Sequence, residues 1–116
     1  MILIIGGAYQ GKLSWAVSEY GLKDNEILDL SAEDPRAGFR CYTHLEDLTR
    51  RHEDITGFLP LFRDAIVISR EVGCGVVPMD AAERAWRERH GVTVKALAGD
   101  ADCVIRILCG LPEVIK

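Results

Sequence analysis

The segment that most constrains the fold is 2–14, where a short apolar run leads into a glycine-rich turn. Ile2–Ile5 are consecutive apolar residues followed by two glycines, the pattern of a buried strand. The spacing from Gly6 to Gly11 and Lys12 is that of a phosphate-binding loop. Glycines let successive backbone N–H groups turn toward an anion, the following helix adds its positive end, and the lysine supplies a charge for the outer phosphates. The candidate nucleotide-binding residues of this loop are Gly6, Gly7, Ala8, Tyr9, Gln10, Gly11, Lys12 and Leu13.

One position departs from the phosphate-loop pattern. The residue after the lysine should carry a hydroxyl group for Mg²⁺, and here it is Leu13. Ser14 does not replace that hydroxyl, because the next residue of a helix points about 100° away. Mg²⁺ could still bind through water, but we expect the altered loop to retain it less well.

Composition narrows the class of protein. With 116 residues, 48% of them hydrophobic and 28% charged, the chain suits a single domain over residues 1–116. The net charge of -4 gives no basis for a nucleic-acid groove or a polybasic membrane patch. No apolar run approaches the length of about 20 residues that spans a membrane, and Met1 leads directly into the first strand. We therefore expect a cytoplasmic protein without nucleic-acid or membrane partners.

The cysteines do not suggest a metal or redox site. Cys41, Cys74, Cys103 and Cys109 are scattered, without a C-x-x-C pair or a nearby set of histidine ligands. We expect reduced thiols and no structural metal ion.

Strand-like and helix-like segments alternate after the loop. Lys12–Tyr20 has apolar positions suited to a helix packed on a sheet, and Gly21 follows it as a stop signal. Glu26–Leu30 is predicted as a second short strand, which completes a right-handed parallel βαβ unit. Ala65–Ser69 and Cys103–Cys109 are the other predicted strands. The fold class is therefore α/β, with a mostly parallel sheet of about four to five strands.

The middle of the chain gives weaker signals. Ser31–Arg40 lacks periodicity and is predicted as a loop on the same face as the phosphate loop. Thr43 followed by Glu46 is typical of a capping box and predicts a helix over 43–53. His44 and His52 flank this helix; they are either a nucleophilic or metal-binding pair or part of a solvated helix surface.

The last third of the chain is predicted to contain two helices and the final strand. Asp80–His90 has a capping signal and an apolar stripe, and Gly91 is expected to end it. Thr93–Ala98 is predicted as a last short helix. Arg106 interrupts an otherwise apolar strand, so that strand should lie near a sheet edge or expose part of one face. The sheet is expected to end at Gly110–Pro112.

Polar residues follow the predicted strand 65–69. Ligands bind beyond the carboxyl ends of the strands in open parallel sheets, so Arg70 and Glu71 fall where chemistry is expected. We take Glu71 and Lys12 as candidate catalytic residues, and Arg70 and Arg84 as additional candidates for nucleotide binding. The basic residues of the helix containing Arg84 have two readings, a solvated face or phosphate and subunit contacts.

Four stretches together resemble one enzyme family. They are Ile2-Leu3-Ile4-Ile5-Gly6-Gly7-Ala8 with Gly11-Lys12, then Glu71-Val72-Gly73-x-Gly75-x-Val77-Pro78, then Arg84-x-Trp86-Arg87-x-x-x-Gly91, and the ending from Ala101-Asp102-x-Val104 through Gly110-Leu111-Pro112 to Lys116. They occur in the same order in the bifunctional adenosylcobinamide kinase and adenosylcobinamide-phosphate guanylyltransferase family of cobalamin biosynthesis. The resemblance covers roughly the first 20 and the last 50 residues, with the glutamate–valine–glycine segment as its most specific part.

The resemblance implies a P-loop NTPase-like three-layer fold and a nucleotide chemistry. Members phosphorylate the cobinamide hydroxyl with ATP or GTP and then transfer GMP through a guanylylated histidine. This chain is shorter, and the region 30–64 replaces the family's histidine-bearing helix and a strand ending in an acidic residue. We therefore do not transfer the guanylylated histidine to His44, and the sequence leaves open whether His44 or His52 replaces the family histidine. Because the family is oligomeric, a homo-oligomer is expected.

Three hypotheses follow. The first is a nucleotide-dependent kinase or nucleotidyl-handling enzyme acting on a corrinoid. The second is a diverged relative with weak or no catalysis, which binds a nucleotide or phosphate ligand or a partner protein. The third, a dinucleotide-binding domain, is disfavoured because Gly6 to Gly11 lacks the middle glycine of G-x-G-x-x-G.

Overall fold

The computed structural model describes residues 1–72 and 79–116, which form a mixed α/β fold around a six-stranded sheet. The sheet order is β2-β3-β4-β1-β5-β6, and every pair is parallel except β5 with β6. The strands are β1 (Ile2–Gly6), β2 (Ile27–Asp29), β3 (Cys41–Thr43), β4 (Ile66–Arg70), β5 (Cys103–Leu108) and β6 (Leu111–Val114). The predicted α/β class with a mostly parallel sheet is confirmed, with one or two strands more than expected.

Helices cover both faces of the sheet and make three layers. Helix α1 (Lys12–Tyr20) lies on one face, while α2 (Leu45–Arg51), α3 (Leu59–Phe62) and α4 (Ala81–Asp100) supply the other. Short 3₁₀ turns precede β2 and α3, at Asp24–Glu26 and Thr56–Phe58.

Strand β1 lies between β4 and β5 and contributes side chains to the cores on both faces of the sheet. Leu3 and Ile4 are fully buried, Leu3 in the core beneath α2, α3 and α4 and Ile4 in the core beneath α1. Side chains alternate along a strand, so a continuous apolar run is what a strand covered on both faces requires. The buried strand predicted at 2–5 is therefore confirmed.

Helix α1 begins and ends where its sequence predicts. It follows Gly11, whose φ is 83°, and it stops at Gly21, whose φ of 63° is the left-handed conformation that glycine adopts without strain. The predicted helix over 12–20 is confirmed to the residue.

The middle of the chain differs from its prediction. Thr43 is not a helix cap; it ends β3, a short strand that pairs with β2 and β4. Helix α2 starts two residues later, after His44 in a left-handed conformation with φ 64°. The side chain of Glu46 is directed to the main chain of Arg70 instead of to a cap. The capping-box interpretation is therefore wrong, because strand pairing with distant residues determines the conformation of Thr43.

The end of the chain also differs. Helix α4 runs without interruption from Ala81 to Asp100, so Gly91 does not end it and there is no separate helix at 93–98. Its predicted start is confirmed, because the Asp80 carboxylate accepts hydrogen bonds from the main-chain N–H groups of Ala82 and Glu83. The sheet continues past Gly110 into β6, through a tight turn in which Cys109 and Gly110 have φ of 52° and 76°.

Strand β5 is next to the edge of the sheet, and Arg106 is half-buried within it. Its guanidinium group pairs with the Glu71 carboxylate, with an Nε–Oε1 distance of 3.1 Å. The strand thus lies near the sheet edge and Arg106 is partly exposed, as the sequence predicted, and the ion pair further accounts for the charge.

Candidate functional site

The predicted phosphate loop, residues 6–13, connects β1 to α1 at the carboxyl end of the sheet. Tyr9 has a positive φ of 60° and a fully exposed side chain. Gln10 fixes the loop to the β5–β6 turn: its side-chain oxygen accepts a hydrogen bond from the Cys109 N–H at 2.6 Å, and its main-chain oxygen accepts one from Gly110 at 3.0 Å. The loop therefore has a defined conformation, which two hydrogen bonds fix. Tyr9 and Gly11 are left-handed in it, which a simple strand-to-helix connection would not require.

Gly6 has a packing reason to be glycine. A Cβ atom placed there would lie 2.6 Å from the carbonyl oxygen of Ile107 on β5, closer than real contacts allow. Its own carbonyl accepts a hydrogen bond from the Glu71 N–H at 2.8 Å. The close approach of β1 to β5 is thus sufficient to explain Gly6, whose role in binding nucleotide stays a prediction.

Lys12 lies over the loop in its expected place. Its ammonium group donates a hydrogen bond to the Gly7 carbonyl oxygen at 2.7 Å. Partial burial lowers the pKa of Lys12, and the nearby Glu46 carboxylate opposes that effect. A partly desolvated cation at the mouth of a glycine loop is suited to bind an anion, because a phosphate would restore the interactions that burial removes.

A cavity of about 440 Å³ brings the loop together with β3, α2 and β4. Arg70, the last residue of β4, lies at this cavity. The residues that line it are Ala8, Tyr9, Gln10, Gly11, Lys12, Leu13, Ser14, Thr43, His44, Glu46, Asp47, Ile68 and Arg70. Most predicted loop residues therefore share one cavity with acidic residues of α2.

Glu71 lies elsewhere. It does not line the phosphate-loop cavity but a second one of about 410 Å³, together with Arg70 and Arg106. Both of its oxygens are near the Arg106 guanidinium group, at 3.1 and 3.3 Å. Arg84 is outside the residues that line either cavity, and its guanidinium group donates a hydrogen bond to the Met79 carbonyl oxygen at 2.6 Å. The suggested roles of Glu71 in catalysis and of Arg84 in nucleotide binding stay predictions.

Glu46 is one of two acidic residues at the cavity, with Asp47, that the sequence did not single out as functional. It is buried, with 6% of its surface exposed, and its Oε1 atom accepts a hydrogen bond from the Arg70 N–H at 2.8 Å. Its main-chain oxygen accepts hydrogen bonds from Thr49 at 3.1 Å and from the Trp86 indole at 3.2 Å. One hydrogen bond therefore holds the carboxylate of Glu46 and two hold its main-chain oxygen. The only local signal for this residue in the sequence is the pattern interpreted as a capping box.

His90 lies beneath this carboxylate in the core. Its ring nitrogens are 2.7 Å from the Thr49 hydroxyl and 2.9 Å from the Ser69 hydroxyl, so it joins α4 to α2 and to β4. Burial lowers the pKa of His90, although the charge of Glu46 opposes that change.

A comparison with known protein families bears on this site. Residues 25–115 match the family described as cobinamide kinase / cobinamide phosphate guanyltransferase. The chain belongs to this family. The matched region starts after the phosphate loop, so the loop geometry and the family match are separate observations. A search of curated proteins found no match.

Membership in the cobinamide kinase / cobinamide phosphate guanyltransferase family directs attention to the histidines. His44 lines the phosphate-loop cavity, and its Nδ1 atom is 2.9 Å from Oδ1 of Asp29. Burial alone would raise the pKa of Asp29, but hydrogen bonds from Ser31 and His44 lower it. The backbone of His44 is left-handed, a conformation that costs about 1–2 kcal/mol for a residue with a Cβ atom.

His52 is not in that cavity. Its Nε2 atom is 2.9 Å from the Asp34 carboxylate, which Arg51 also contacts, and its ring packs against Phe58. This group fastens the loop 31–40 to the end of α2. Of the two candidate histidines, His44 alone lies beside Lys12 in the cavity.

Two negative findings apply to residues 1–72 and 79–116. Within them, no group of three or more histidine, cysteine or acidic side chains is arranged to hold a metal ion. No helix in that part of the chain is long and apolar enough to cross a lipid bilayer. Residues 73–78, which belong to the glutamate–valine–glycine segment of the family resemblance, lie outside the described residues.

Proposed function

We propose that this protein binds a nucleoside triphosphate at the phosphate loop and transfers its terminal phosphate to the hydroxyl group of cobinamide. The observation that supports this most is one cavity shared by the glycine loop, Lys12, Arg70 and Glu46. The family match supplies the acceptor class.

Each residue has a role that its chemistry allows. Loop N–H groups and Lys12 bind the outer phosphates, since oriented amides and an ammonium group compensate their charge. Arg70 stabilises negative charge that develops on the transferred group, and Glu71 remains the candidate acid for orienting the acceptor. Phosphoryl transfer depends mainly on positioning and charge neutralisation, and these residues are of the types that supply both effects.

The cavity also fits a magnesium ion carried by the nucleotide. Mg²⁺ is commonly held by one or two carboxylates together with substrate phosphates, and α2 presents Glu46 and Asp47 to the cavity. When bound, Mg²⁺ would neutralise phosphate charge. Leu13 supplies no hydroxyl, so the carboxylates of α2 become the protein ligands to consider.

The test is calorimetric titration with ATP, GTP and GMP, each with and without Mg²⁺, followed by an assay of cobinamide phosphorylation. Binding and turnover that Lys12→Ala abolishes would support the kinase. Binding without turnover would favour the alternative of a catalytically weak nucleotide-binding or partner-binding relative. If no nucleotide binds the wild-type protein at millimolar concentration, both proposals fail.

Leu13 offers a gain-of-function test of the same proposal. If the missing hydroxyl limits metal binding, Leu13→Ser should raise Mg²⁺-dependent turnover. Ser14→Ala is a suitable control, because that hydroxyl points away from the position that the motif uses. Unchanged turnover in Leu13→Ser would show that the altered loop position does not limit the reaction.

A second candidate activity is guanylyl transfer through His44. Asp29 binds Nδ1, and none of the described residues bonds to Nε2, which leaves that nitrogen to attack the α-phosphorus of GTP with release of pyrophosphate. The GMP on nitrogen would then pass to cobinamide phosphate. Incubation with α-labelled GTP should label the wild-type protein and His52→Asn but not His44→Asn; label retained in His44→Asn would exclude this histidine.

We also propose that the protein forms a homo-oligomer. The edge strand β6 is exposed along its whole length, and it presents Leu111 and Val114 to the surface, both about 70% exposed. Sedimentation velocity should give a mass above that of one chain, and a monomer across the accessible concentration range would contradict the proposal.

A further inference from the structure

Four acidic residues lie near the phosphate loop or its neighbouring strands, and they differ in what holds them. Glu71 is engaged by Arg106 on both oxygens and lines the second cavity. Asp29 accepts hydrogen bonds from Ser31 and faces His44. Asp47 and Glu46 line the phosphate-loop cavity itself. Of these four, Glu46 is the one that is buried.

Glu46 is a buried carboxylate, and such a group is stable only when another group compensates its charge. Among the described residues its side chain has a single hydrogen bond, from the Arg70 N–H to Oε1, and it makes no ion pair with Lys12. Lys12 instead donates to the Gly7 carbonyl oxygen, although it is near enough to Glu46 for the two charges to interact. One carboxylate oxygen is thus fixed to the backbone at the end of β4, while the side chain borders a cavity that contains the phosphate loop.

The supporting contacts fix this arrangement. Thr49 and Trp86 both hydrogen-bond to the main-chain oxygen of Glu46, and Thr49 in turn contacts His90. These contacts hold the main chain of Glu46 between α2 and α4, and the Arg70 N–H at the end of β4 holds its carboxylate, so the position of the carboxylate is set by regular elements of the fold. Preorganised carboxylates of this kind hold hard cations because their oxygens need not be reoriented on binding.

We propose that Glu46 is the protein carboxylate that faces the magnesium ion of the bound nucleotide. This inference rests on the proposed nucleotide-binding function. It assigns the metal contact to helix α2, which supplies the negative charge near the end of β4 while Leu13 offers no oxygen ligand. Neither Asp47 nor Glu71 contacts the metal ion in this proposal.

The test compares Glu46→Gln with Asp47→Asn and Glu71→Gln by calorimetric titration of GTP and of ATP, in Mg²⁺ or in EDTA. Glutamine keeps an oxygen for the Arg70 N–H, so the fold should be retained, as circular dichroism would check. Glu46→Gln should lose the gain in affinity that Mg²⁺ gives, by about tenfold or more, while affinity in EDTA stays unchanged or improves. The two other variants should keep the gain.

A second experiment tests the same assignment in the wild-type protein, without any substitution. With Mn²⁺ replacing Mg²⁺ in the nucleotide complex, paramagnetic broadening should be strong at the Arg70 amide, which bonds to Glu46, and weak at Asp102 at the opposite end of the sheet. A full Mg²⁺ gain in Glu46→Gln, loss of the gain in Asp47→Asn alone, or no broadening at Arg70 would each overturn the assignment and leave nucleotide binding standing. Failure of the wild-type protein to bind either nucleotide would overturn both.

Discussion

At the scale of single residues, His90 links the core to the site. It is almost fully buried, its ring nitrogens contact hydroxyls on α2 and β4, and the Trp86 ring stacks on it at 5.9 Å. The charged groups that act on it are Glu46 of α2 and Arg70 of β4, which have opposite effects. Desolvation is the largest influence, so the folded protein favours the neutral ring.

The depressed pKa of His90 predicts a loss of stability in mild acid. When the folded-state pKa lies below the unfolded value of about 6.5, the unfolded chain takes up a proton that the folded chain does not, and the free energy of unfolding falls as pH drops through that region. Urea unfolding at pH 7.5 and at pH 5.5 should show this decrease. Replacing His90 with glutamine should cost about 1–3 kcal/mol at pH 7.5, since one hydroxyl loses a partner, and should reduce the difference between the two pH values.

The comparison with the variant isolates His90 from the other histidines. His44 and His52 contact Asp29 and Asp34, far from the substituted side chain, and are the same in both proteins. If His90→Gln showed the same pH dependence as the wild-type protein, the buried histidine would not be its source.

Residue-scale signals in the sequence predicted where the glycine-rich turn lies, between β1 and α1, but not the acidic side of the cavity. The glycine positions and Lys12 are local features, so their spacing is readable without the fold. Glu46 reaches the cavity only because β3 places α2 beside β4, and no spacing within 43–53 reveals that contact. The pairing of Arg106 with Glu71 has the same cause, because the two residues are distant in sequence and meet across β1.

At the scale of secondary-structure elements, two glycines show that a glycine in the sequence does not by itself end a helix. Gly91 is in the interior of α4, and Gly21 ends α1; a Cβ atom would meet nothing within 4 Å at either position. They differ in backbone conformation, because Gly21 has a φ of 63°. The sequence treated both as stop signals, yet only Gly21 has the left-handed geometry that ends a helix.

This difference predicts opposite effects of the same substitution. Gly91→Ala should raise the free energy of unfolding by about 0.5–1 kcal/mol, because alanine restricts the unfolded chain and fits a helix. Gly21→Ala should lower it by about 1–2 kcal/mol, because the side chain is strained at positive φ. Urea denaturation of both variants would measure the effects. Destabilisation by Gly91→Ala would mean that α4 is interrupted near its middle, as the sequence alone suggested.

Elements that depend on long-range pairing were the ones missed. Strand β3 is a short strand stabilised by neighbours on both sides, β2 and β4, and β6 forms through a two-residue turn onto β5. Local rules gave the wrong structure at both: Thr43 of β3 was interpreted as a helix cap, and Gly110 and Pro112 at β6 were interpreted as the end of the sheet. Elements with strong local signals, such as β1, α1 and β4, were predicted within a residue of their observed bounds.

At the scale of the whole molecule, one sheet joins the two cores. Neighbouring residues of the central strands point to opposite faces: Leu3, Val67 and Val104 belong to one cluster, and Ile4, Ile68 and Ile105 belong to the other. Neither cluster can lose its strands while the other keeps them. Residues 1–116 should therefore unfold as a single cooperative domain.

The two tryptophans allow this prediction to be tested on each face separately. Trp15 packs against the core beneath α1, and Trp86 is buried between α4 and α2. In Trp86→Phe the fluorescence reports the α1 face, and in Trp15→Phe it reports the opposite face. Trp86→Phe loses the indole hydrogen bonds to Glu46 and Thr49, so each variant is compared with its own circular dichroism instead of with the other. Within each variant the fluorescence and circular dichroism midpoints in urea should coincide; a separation of the two in either variant would show that one face of the sheet unfolds before the other.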